Sequence, residues 1–319
     1  MVEFHGNRVK IFAGSSNPKL TEEMCAQLGV ELGKIRLSRF RSGEIYVNYE
    51  ETIRNCDVYI VQSFSQPINE HFVELLVMID AAKRASARTI NLLLPYYGYA
   101  RQERKASPRE PISAKMVADI LSTVGASRVV TLDLHAPAIQ GFFNIPVDHL
   151  TALDLISDEL RAMHVPNPIV VSPDAGRAKM AEKLAGYLDS PFAIMIKKRP
   201  AHNESVITHI IGEVEGCTPI IIEDLIDTGS TIINVVEGLK EKGAKDAVVC
   251  ATHPVFSDGA VRRMAHPNIR KVIVTDSVPI HDPLPDNFKI ISIAGLLADA
   301  VRIIHEGGSI SVLFKSGGV

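Results

Sequence analysis

The densest cluster of polar residues follows one apolar run in the second half of the chain. Residues 219–222 lead into Glu223 and Asp224, and the turn Asp227-Thr228-Gly229-Ser230-Thr231 comes next, before a helical pattern. Such a turn presents backbone N–H groups, hydroxyls and a helix N-terminus to one point, which suits a phosphate monoester. Carboxylates at a strand end can accept hydrogen bonds from vicinal hydroxyls. The segment therefore predicts a pentose phosphate site, unless Asp227 and Thr228 only cap the helix.

The sequence does not favour an aspartic protease, and it lacks the two common nucleotide-binding fingerprints. The triplet Asp227-Thr-Gly also occurs in aspartic proteases, but those need two such carboxylates on a β-rich fold, and the triplet occurs once here. The sequence has no G-x-x-x-x-G-K-[ST] and no G-x-G-x-x-G. Any nucleotide would therefore be bound without a P-loop or a dinucleotide fingerprint.

Further candidates for anion or metal binding follow other apolar runs. They are the cationic segment 97–105, the loop 39–44, His135, Asp174 and the cations 197–199. Arginine side chains match the geometry of phosphate oxygens. Taken singly, such a charged run is more often a solvated face, and a lone histidine is more often structural.

Short β-branched runs alternate with helical patterns along the whole chain. The predicted strands are 9–12, 58–61, 89–94, 128–134, 169–171, 192–196, 219–222, 247–250, 271–274 and 289–293. Continuous apolar runs of this kind are typical of strands buried on both faces of a parallel sheet. Helical patterns cover 69–84, 112–124 and 230–242. The sequence therefore predicts an α/β fold with two doubly wound, mainly parallel sheets.

A proline-containing region near residues 145–168 marks the predicted domain boundary. We expect an N-terminal domain over 1–147 and a C-terminal domain over 148–304 that carries the phosphate turn. The chain of 319 residues is long enough for two such domains.

Composition limits the partners and the location. The net charge is -3, so no global positive field favours nucleic acid or an anionic membrane. No apolar stretch approaches the roughly 20 residues needed to cross a bilayer, and the N-terminus has no signal-peptide pattern. The four cysteines show no zinc spacing. These features predict a cytoplasmic protein that binds neither nucleic acid nor a membrane.

Residues 223–231 resemble the phosphoribosyl pyrophosphate-binding loop that phosphoribosyltransferases share with ribose-phosphate diphosphokinases. The segment Tyr97-Gly-Tyr-Ala-Arg-Gln-Glu-Arg-Lys105 resembles the Y-x-R-Q-[DE]-R-K motif of the diphosphokinases. The resemblance covers nearly the whole chain, and the C-terminal Ser-Val-Leu-Phe is similar to the class I enzymes. It implies two domains of the type I phosphoribosyltransferase kind and transfer of the pyrophosphoryl group of MgATP to ribose 5-phosphate.

The same resemblance implies a role for each candidate residue. Ribose 5-phosphate would be bound by Glu223, Asp224, Asp227, Thr228, Gly229, Ser230 and Thr231. ATP would be bound by Phe40, Ser42, Gly43, Glu44, Arg101 and Gln102. His135 and Asp174 would contact Mg²⁺, and Lys197 and Arg199 would act on the transferring group. A homohexamer is also implied, as is packing of residues 305–319 on the first domain.

Two alternatives and three departures from the family pattern accompany this interpretation. A phosphoribosyltransferase would share the phosphate loop, and a catalytically silent regulatory homologue would share the fold. The usual Asp-Gly-Glu reads Ser42-Gly43-Glu44, and the usual Asp-Asp pair reads Glu223-Asp224. The usual Gly-Gly after Ser-Pro-Asp-Ala reads Gly176-Arg177, which places a cation near the site.

Overall fold

The apolar runs of the first half form one mainly parallel sheet in the computed structural model, which describes residues 3–4, 7–201 and 204–314. The side chains of residues 3–7 and 197–208 are outside this description. The strands of the first half are β1 (Glu3–Phe4), β2 (Asn7–Ala13), β3 (Ile35–Arg39), β4 (Ile45–Tyr49), β5 (Asp57–Val61), β6 (Thr89–Leu94), β7 (Arg128–Leu132) and β8 (Val147–Leu150). Six of them form a sheet in the order β1-β2-β5-β6-β7-β8, in which only β1 is antiparallel to its neighbour. The remaining two, β3 and β4, form a separate antiparallel hairpin.

A second sheet contains the strands of the second half. Its strands are β9 (Pro168–Ser172), β10 (Phe192–Ala201), β11 (Glu204–Ile211), β12 (Thr218–Ile226), β13 (Ala247–Pro254), β14 (Ile269–Thr275) and β15 (Phe288–Ile291). They lie in the order β11-β10-β9-β12-β13-β14-β15, and only β11 is antiparallel to its neighbour. The predicted α/β fold with two mainly parallel sheets is therefore confirmed.

The helices lie between these strands in sequence. They are α1 (Pro18–Leu28), α2 (Ile68–Arg84), α3 (Ser113–Val124), α4 (Leu153–Ala162), α5 (Ala178–Leu188), α6 (Ser230–Glu241), α7 (Ala260–Met264) and α8 (Ala294–Glu306). Their apolar stripes cover the sheets: Leu75, Met78 and Ile79 of α2 and Val235 and Leu239 of α6 are buried in the two cores. No helix of the described residues is long and apolar enough to span a membrane.

The chain divides into two compact units whose boundaries differ from the predicted ones. The first unit contains residues 1–151, 277–279 and 292–319, and the second contains 152–276 and 280–291. Residues 292–304, predicted in the C-terminal domain, belong to the first unit because α8 packs against α1. His305, at the end of α8, places its Nδ1 3.6 Å from Oδ2 of Asp57 at the start of β5.

Candidate active site

The strand order of the second unit creates a crevice at the ends of two neighbouring strands. From β9 the chain moves to β10 on one side and then to β12 on the other side, so the strand order reverses between β9 and β12. Ligands of open α/β sheets bind outside the carboxyl ends of the strands at such a reversal. Residues that directly follow β9, and those at the end of β12, are therefore expected to meet there.

The predicted phosphate turn lies at the carboxyl end of β12 and leads into α6. Gly229 has φ of 79°, in the left-handed region that favours glycine, and it is the residue that precedes the first turn of α6. A Cβ on Gly229 would lie 2.8 Å from Cε of the buried Met264. The left-handed backbone favours glycine at this position, and a Cβ would also require the Met264 methyl to shift. The helix begins at Ser230, which together with Thr231 is exposed.

Side chains that follow β13 hold this turn in place. Ser257 donates from Oγ to Oδ1 of Asp227, and its backbone N–H donates to the Asp227 carbonyl at 3.1 Å. Arg263 of α7 donates from Nη1 to the Thr228 carbonyl at 3.0 Å. Asp227 is thus bound to a neighbouring loop, whereas Thr228 Oγ1 accepts from Ser230 N–H and donates to Ser230 Oγ, each at 3.4 Å. Ser257 and Arg263 were not among the predicted site residues, although Ser257-Asp-Gly259 is a recognisable turn sequence after β13.

The two acids near the end of β12 are held by a cation from the turn that follows the neighbouring strand β9. Arg177 Nη2 lies 2.8 Å from Asp224 Oδ1, and Arg177 Nε lies 3.6 Å from Glu223 Oε2. The three side chains are largely withdrawn from solvent, with exposed fractions of 15% for Arg177, 12% for Glu223 and 4% for Asp224. The sequence indicated a cation near the site but not its partners.

Asp174 lies close to this group and organises the turn that carries Arg177. Its Oδ1 accepts from Gly176 N–H at 2.9 Å and from Arg177 N–H at 3.3 Å, which caps the 3₁₀ turn at residues 175–177. Asp174 is half-buried. The residue predicted to contact Mg²⁺ therefore also fixes the backbone of the arginine that pairs with the acids.

In the first unit, the predicted adenine-binding aromatic lies at the tip of the hairpin formed by β3 and β4. Phe40 is 56% exposed, and its ring meets Tyr46 edge-on at 5.5 Å. The tip is closed by Phe40 N–H donating to the Glu44 carbonyl at 2.9 Å, and Ser42 Oγ donates to Glu44 Oε2 at 2.7 Å. An aromatic ring left exposed on a closed turn is available to stack on a base.

The second predicted ATP-binding segment follows β6 and is anchored by buried contacts. Tyr97 donates its hydroxyl to the Ala114 carbonyl at 2.9 Å, and burial raises the pKa of that hydroxyl well above its usual range. Arg101 and Gln102 are exposed beyond this anchor. Gln102 is positioned by its backbone, because its N–H donates to the Tyr99 carbonyl at 3.1 Å.

Both predicted ATP-binding segments are tied to the first turn of α2. Arg39, at the end of β3, forms an ion pair with Glu70, and the Tyr99 hydroxyl donates to Asn69. These contacts hold the hairpin tip and the 97–105 segment at the same end of one helix. Asn69 and Glu70 were not among the predicted site residues, because they belong to no recognised motif.

His135 lies in the loop after β7 and is half-buried. The preceding residue, Leu134, donates its N–H to Nε2 of His149 at 2.9 Å. His149 belongs to β8, so a strand outside the predicted set positions the His135 loop.

The backbone of Lys197 and Arg199 lies in β10, and their side chains lie outside the described residues. The strand continues beyond the predicted end at Ile196 to Ala201, with register shifts against β11 after Ile196 and Lys198. Their predicted catalytic role therefore stays a prediction. Among the described residues, no three His, Cys, Asp or Glu side chains converge on a possible metal position.

Two groups of features are typical of α/β proteins that bind sugar phosphates and nucleotides. One is the phosphate turn with the paired acids at the strand reversal of the second unit. The other is the exposed aromatic ring and the cations of the first unit. Comparison with known proteins identifies the family within this class. A family model for the N-terminal domain of ribose phosphate pyrophosphokinase matches residues 9–125, and one for a phosphoribosyl synthetase-associated domain matches 192–315.

Full-length relatives agree with these matches. The chain is 49% identical over 316 residues to ribose-phosphate pyrophosphokinase from Staphylococcus aureus strain Mu50, which covers 98% of each chain. It is 47% identical over 314 residues to the Bacillus subtilis enzyme of the same name, covering 98% of this chain and 99% of that one. The crystal structure of phosphoribosylpyrophosphate synthetase from Mycobacterium smegmatis matches with a TM-score of 0.90 and 42% identity, over 95% of this chain and 100% of that one. This chain belongs to the ribose-phosphate pyrophosphokinase family, which confirms the resemblance found in the sequence.

Proposed function

We propose that this ribose-phosphate pyrophosphokinase transfers the pyrophosphoryl group of ATP to the anomeric hydroxyl of ribose 5-phosphate, giving phosphoribosyl pyrophosphate and AMP. The observation that carries the proposal is the pairing of a phosphate turn with two strand-end acids beside the strand reversal of the second unit. Full-length relatives favour this activity over a phosphoribosyltransferase and over a silent homologue.

The second unit would bind the sugar phosphate. The 5-phosphate would lie at the N-terminus of α6, where exposed Ser230 and Thr231 can donate hydroxyls and the helix supplies N–H groups. The vicinal hydroxyls would donate to Glu223 and Asp224, since an ionised carboxylate has about four acceptor sites and can serve both Arg177 and a ligand.

The first unit would bind ATP. Phe40 would stack on adenine, and the Ser42-Gly43-Glu44 tip would approach the ribose of the nucleotide. Arg101 and Gln102 are exposed, and the start of their segment is anchored by the buried side chain of Tyr97. Their side chains can therefore bind phosphate oxygens while the backbone stays in place.

By the family resemblance, His135 and Asp174 are each proposed as a contact of Mg²⁺, with oxygens of the nucleotide among its other ligands. The donor set suits this role, because Mg²⁺ usually keeps several waters and takes few protein ligands beside phosphate oxygens. Neither residue is part of a group of described side chains that could hold a metal without the nucleotide. When bound, Mg²⁺ would neutralise charge on the phosphates.

Lys197 and Arg199 would stabilise the transferring group. They are two residues apart in the backbone of β10, the spacing from which the sequence predicts that both act on one target. Two cations aimed at developing negative charge contribute more in the transition state than in the ground state. A homohexamer and a cytoplasmic location complete the proposal as predictions from the sequence and the family resemblance.

The test is to incubate the protein with MgATP and ribose 5-phosphate and to identify the products by phosphorus NMR. Formation of AMP with a pyrophosphorylated sugar supports the proposal. Formation of ADP with a bisphosphorylated sugar would mean transfer of a single phosphoryl group, and the proposal would be wrong.

A further inference from the structure

Arg177 forms a buried ion-pair cluster with the two acids assigned to the sugar hydroxyls. Its guanidinium reaches across from the end of β9 to the end of β12, with Nη2 2.8 Å from Asp224 and Nε 3.6 Å from Glu223. The cluster is pre-organised, because all three side chains are largely buried and the Asp174 side chain caps the turn that contains Arg177.

From this geometry we infer that Arg177 is a positioning residue for ribose recognition, which orients Glu223 and Asp224 toward the vicinal hydroxyls and sets the selectivity of the site for a 2-hydroxylated pentose phosphate. The inference rests on the proposed assignment of ribose 5-phosphate to the second unit.

Charge explains why these acids need such a partner. Two carboxylates on neighbouring positions repel each other, and withdrawing them from solvent raises the cost of keeping both ionised. A planar guanidinium has donors in a rigid fork and can bind both carboxylates at once. Because Arg177 belongs to the turn that Asp174 caps, its backbone is fixed, and its guanidinium limits the rotamers of both acids before the sugar binds. The two acids then lose less side-chain entropy when the sugar binds.

The experiment measures kcat and KM for ribose 5-phosphate and for 2-deoxyribose 5-phosphate in Arg177→Ala, Arg177→Lys and the full-length wild type. Arg177→Ala should raise the KM for ribose 5-phosphate by about ten-fold or more, since bonds to charged groups are of that strength, with a much smaller change in kcat. The preference for ribose over deoxyribose 5-phosphate should fall by about the same factor. In Arg177→Lys, both the KM for ribose 5-phosphate and the preference between the two sugars should lie between those of wild type and Arg177→Ala, because an ammonium keeps the charge but not the forked donors of a guanidinium.

Two controls separate positioning from other effects. Lys179→Ala removes an exposed cation two residues away on α5 and should leave all constants unchanged. Thr231→Ala should raise the KM of both sugars by the same factor, because both carry the 5-phosphate. Circular dichroism and an unchanged KM for ATP will show that each variant is folded.

Three results would overturn the inference. One is a lower KM for ribose 5-phosphate in Arg177→Ala, which would mean that Arg177 competes with the sugar. Another is an unchanged ratio between the two sugars, which would mean a general structural role. The last is an Arg177→Lys variant whose KM for ribose 5-phosphate and preference between the two sugars equal those of Arg177→Ala. Failure of the proposed function is distinguishable from all three, because wild-type protein would then form no AMP from ATP and ribose 5-phosphate.

Discussion

Gly229→Ala should weaken binding of ribose 5-phosphate through the shape of the phosphate turn alone. The position has φ of 79°, and an added Cβ would lie 2.8 Å from Met264 Cε. The left-handed backbone costs a non-glycine residue about 1–2 kcal/mol. Met264 is fully buried, and the contact is with the terminal methyl of its flexible side chain, so the backbone cost is the main part of the effect.

The expected result is a KM for ribose 5-phosphate raised by about 10- to 100-fold, with little change in the KM for ATP. This range corresponds to loss of one hydrogen bond to a charged group, about 1.5–3 kcal/mol. Steady-state kinetics with each substrate varied in turn will measure it. Thermal unfolding should show a decrease of a few degrees, since 1 kcal/mol shifts the midpoint by about 2–4 °C in a domain of this size.

Two glycines in the same unit provide matched controls. Gly216 has φ of 68° but open space around its Cβ position, and it precedes the amino end of β12, far along the strand from the turn. Gly216→Ala should therefore lower stability without changing the KM for ribose 5-phosphate. Gly186, in the helix α5, also has open space, and Gly186→Ala should be neutral or stabilising. An unchanged KM in folded Gly229→Ala, or an equal rise in Gly216→Ala, would refute the reasoning.

Three further predictions concern the nucleotide and the transfer step. Ser42→Asp should raise the KM for ATP and leave that for ribose 5-phosphate unchanged, because it replaces the bond to Glu44 with repulsion between carboxylates; equal changes in both constants would count against it. Phe40→Ala should raise the KM for ATP by roughly five-fold or more, consistent with loss of about 1–3 kcal/mol of stacking, and Phe40→Tyr should restore it; equal KM values for the two variants would contradict the stacking role. Lys197→Ala and Arg199→Ala should each lower kcat by about 10²–10³, with Lys198→Ala much milder; single-turnover rates in which Lys198→Ala is the most damaging would reverse the assignment.

The sequence predicted most of the parallel strands because each is a continuous apolar run; β8, with the sequence Val-Asp-His-Leu, is parallel to β7 but is no such run, and it was not predicted. All ten predicted strands are present, with ends that differ by a few residues. The hairpin of β3 and β4 was missed because its residues are only partly buried and alternate in polarity, so no continuous run appears. The alternation Ile35-Arg-Leu37-Ser would have revealed it, since period-two patterns mark half-buried strands.

Long-range contacts could not be predicted from local pattern. The apolar stripe of α8 indicates a helix but not its partner, and the structure shows that it packs on α1 of the first unit. Similarly, Arg177 was identified as a departure from the family pattern, but its bond to Asp224 depends on β9 and β12 being neighbours. Motifs therefore predicted the site residues, and strand order determined that Arg177 meets the two acids.

The central claim is that ribose 5-phosphate is held at the carboxyl end of β12, between the phosphate turn and the paired acids. The most direct measurement is a structure of the protein with ribose 5-phosphate bound. It should show the 5-phosphate in contact with backbone N–H groups and the Thr231 hydroxyl at the start of α6, and the vicinal hydroxyls within about 3.2 Å of Glu223 or Asp224 oxygens. A sugar phosphate bound elsewhere, or one whose phosphate lies at the acids, would contradict the account.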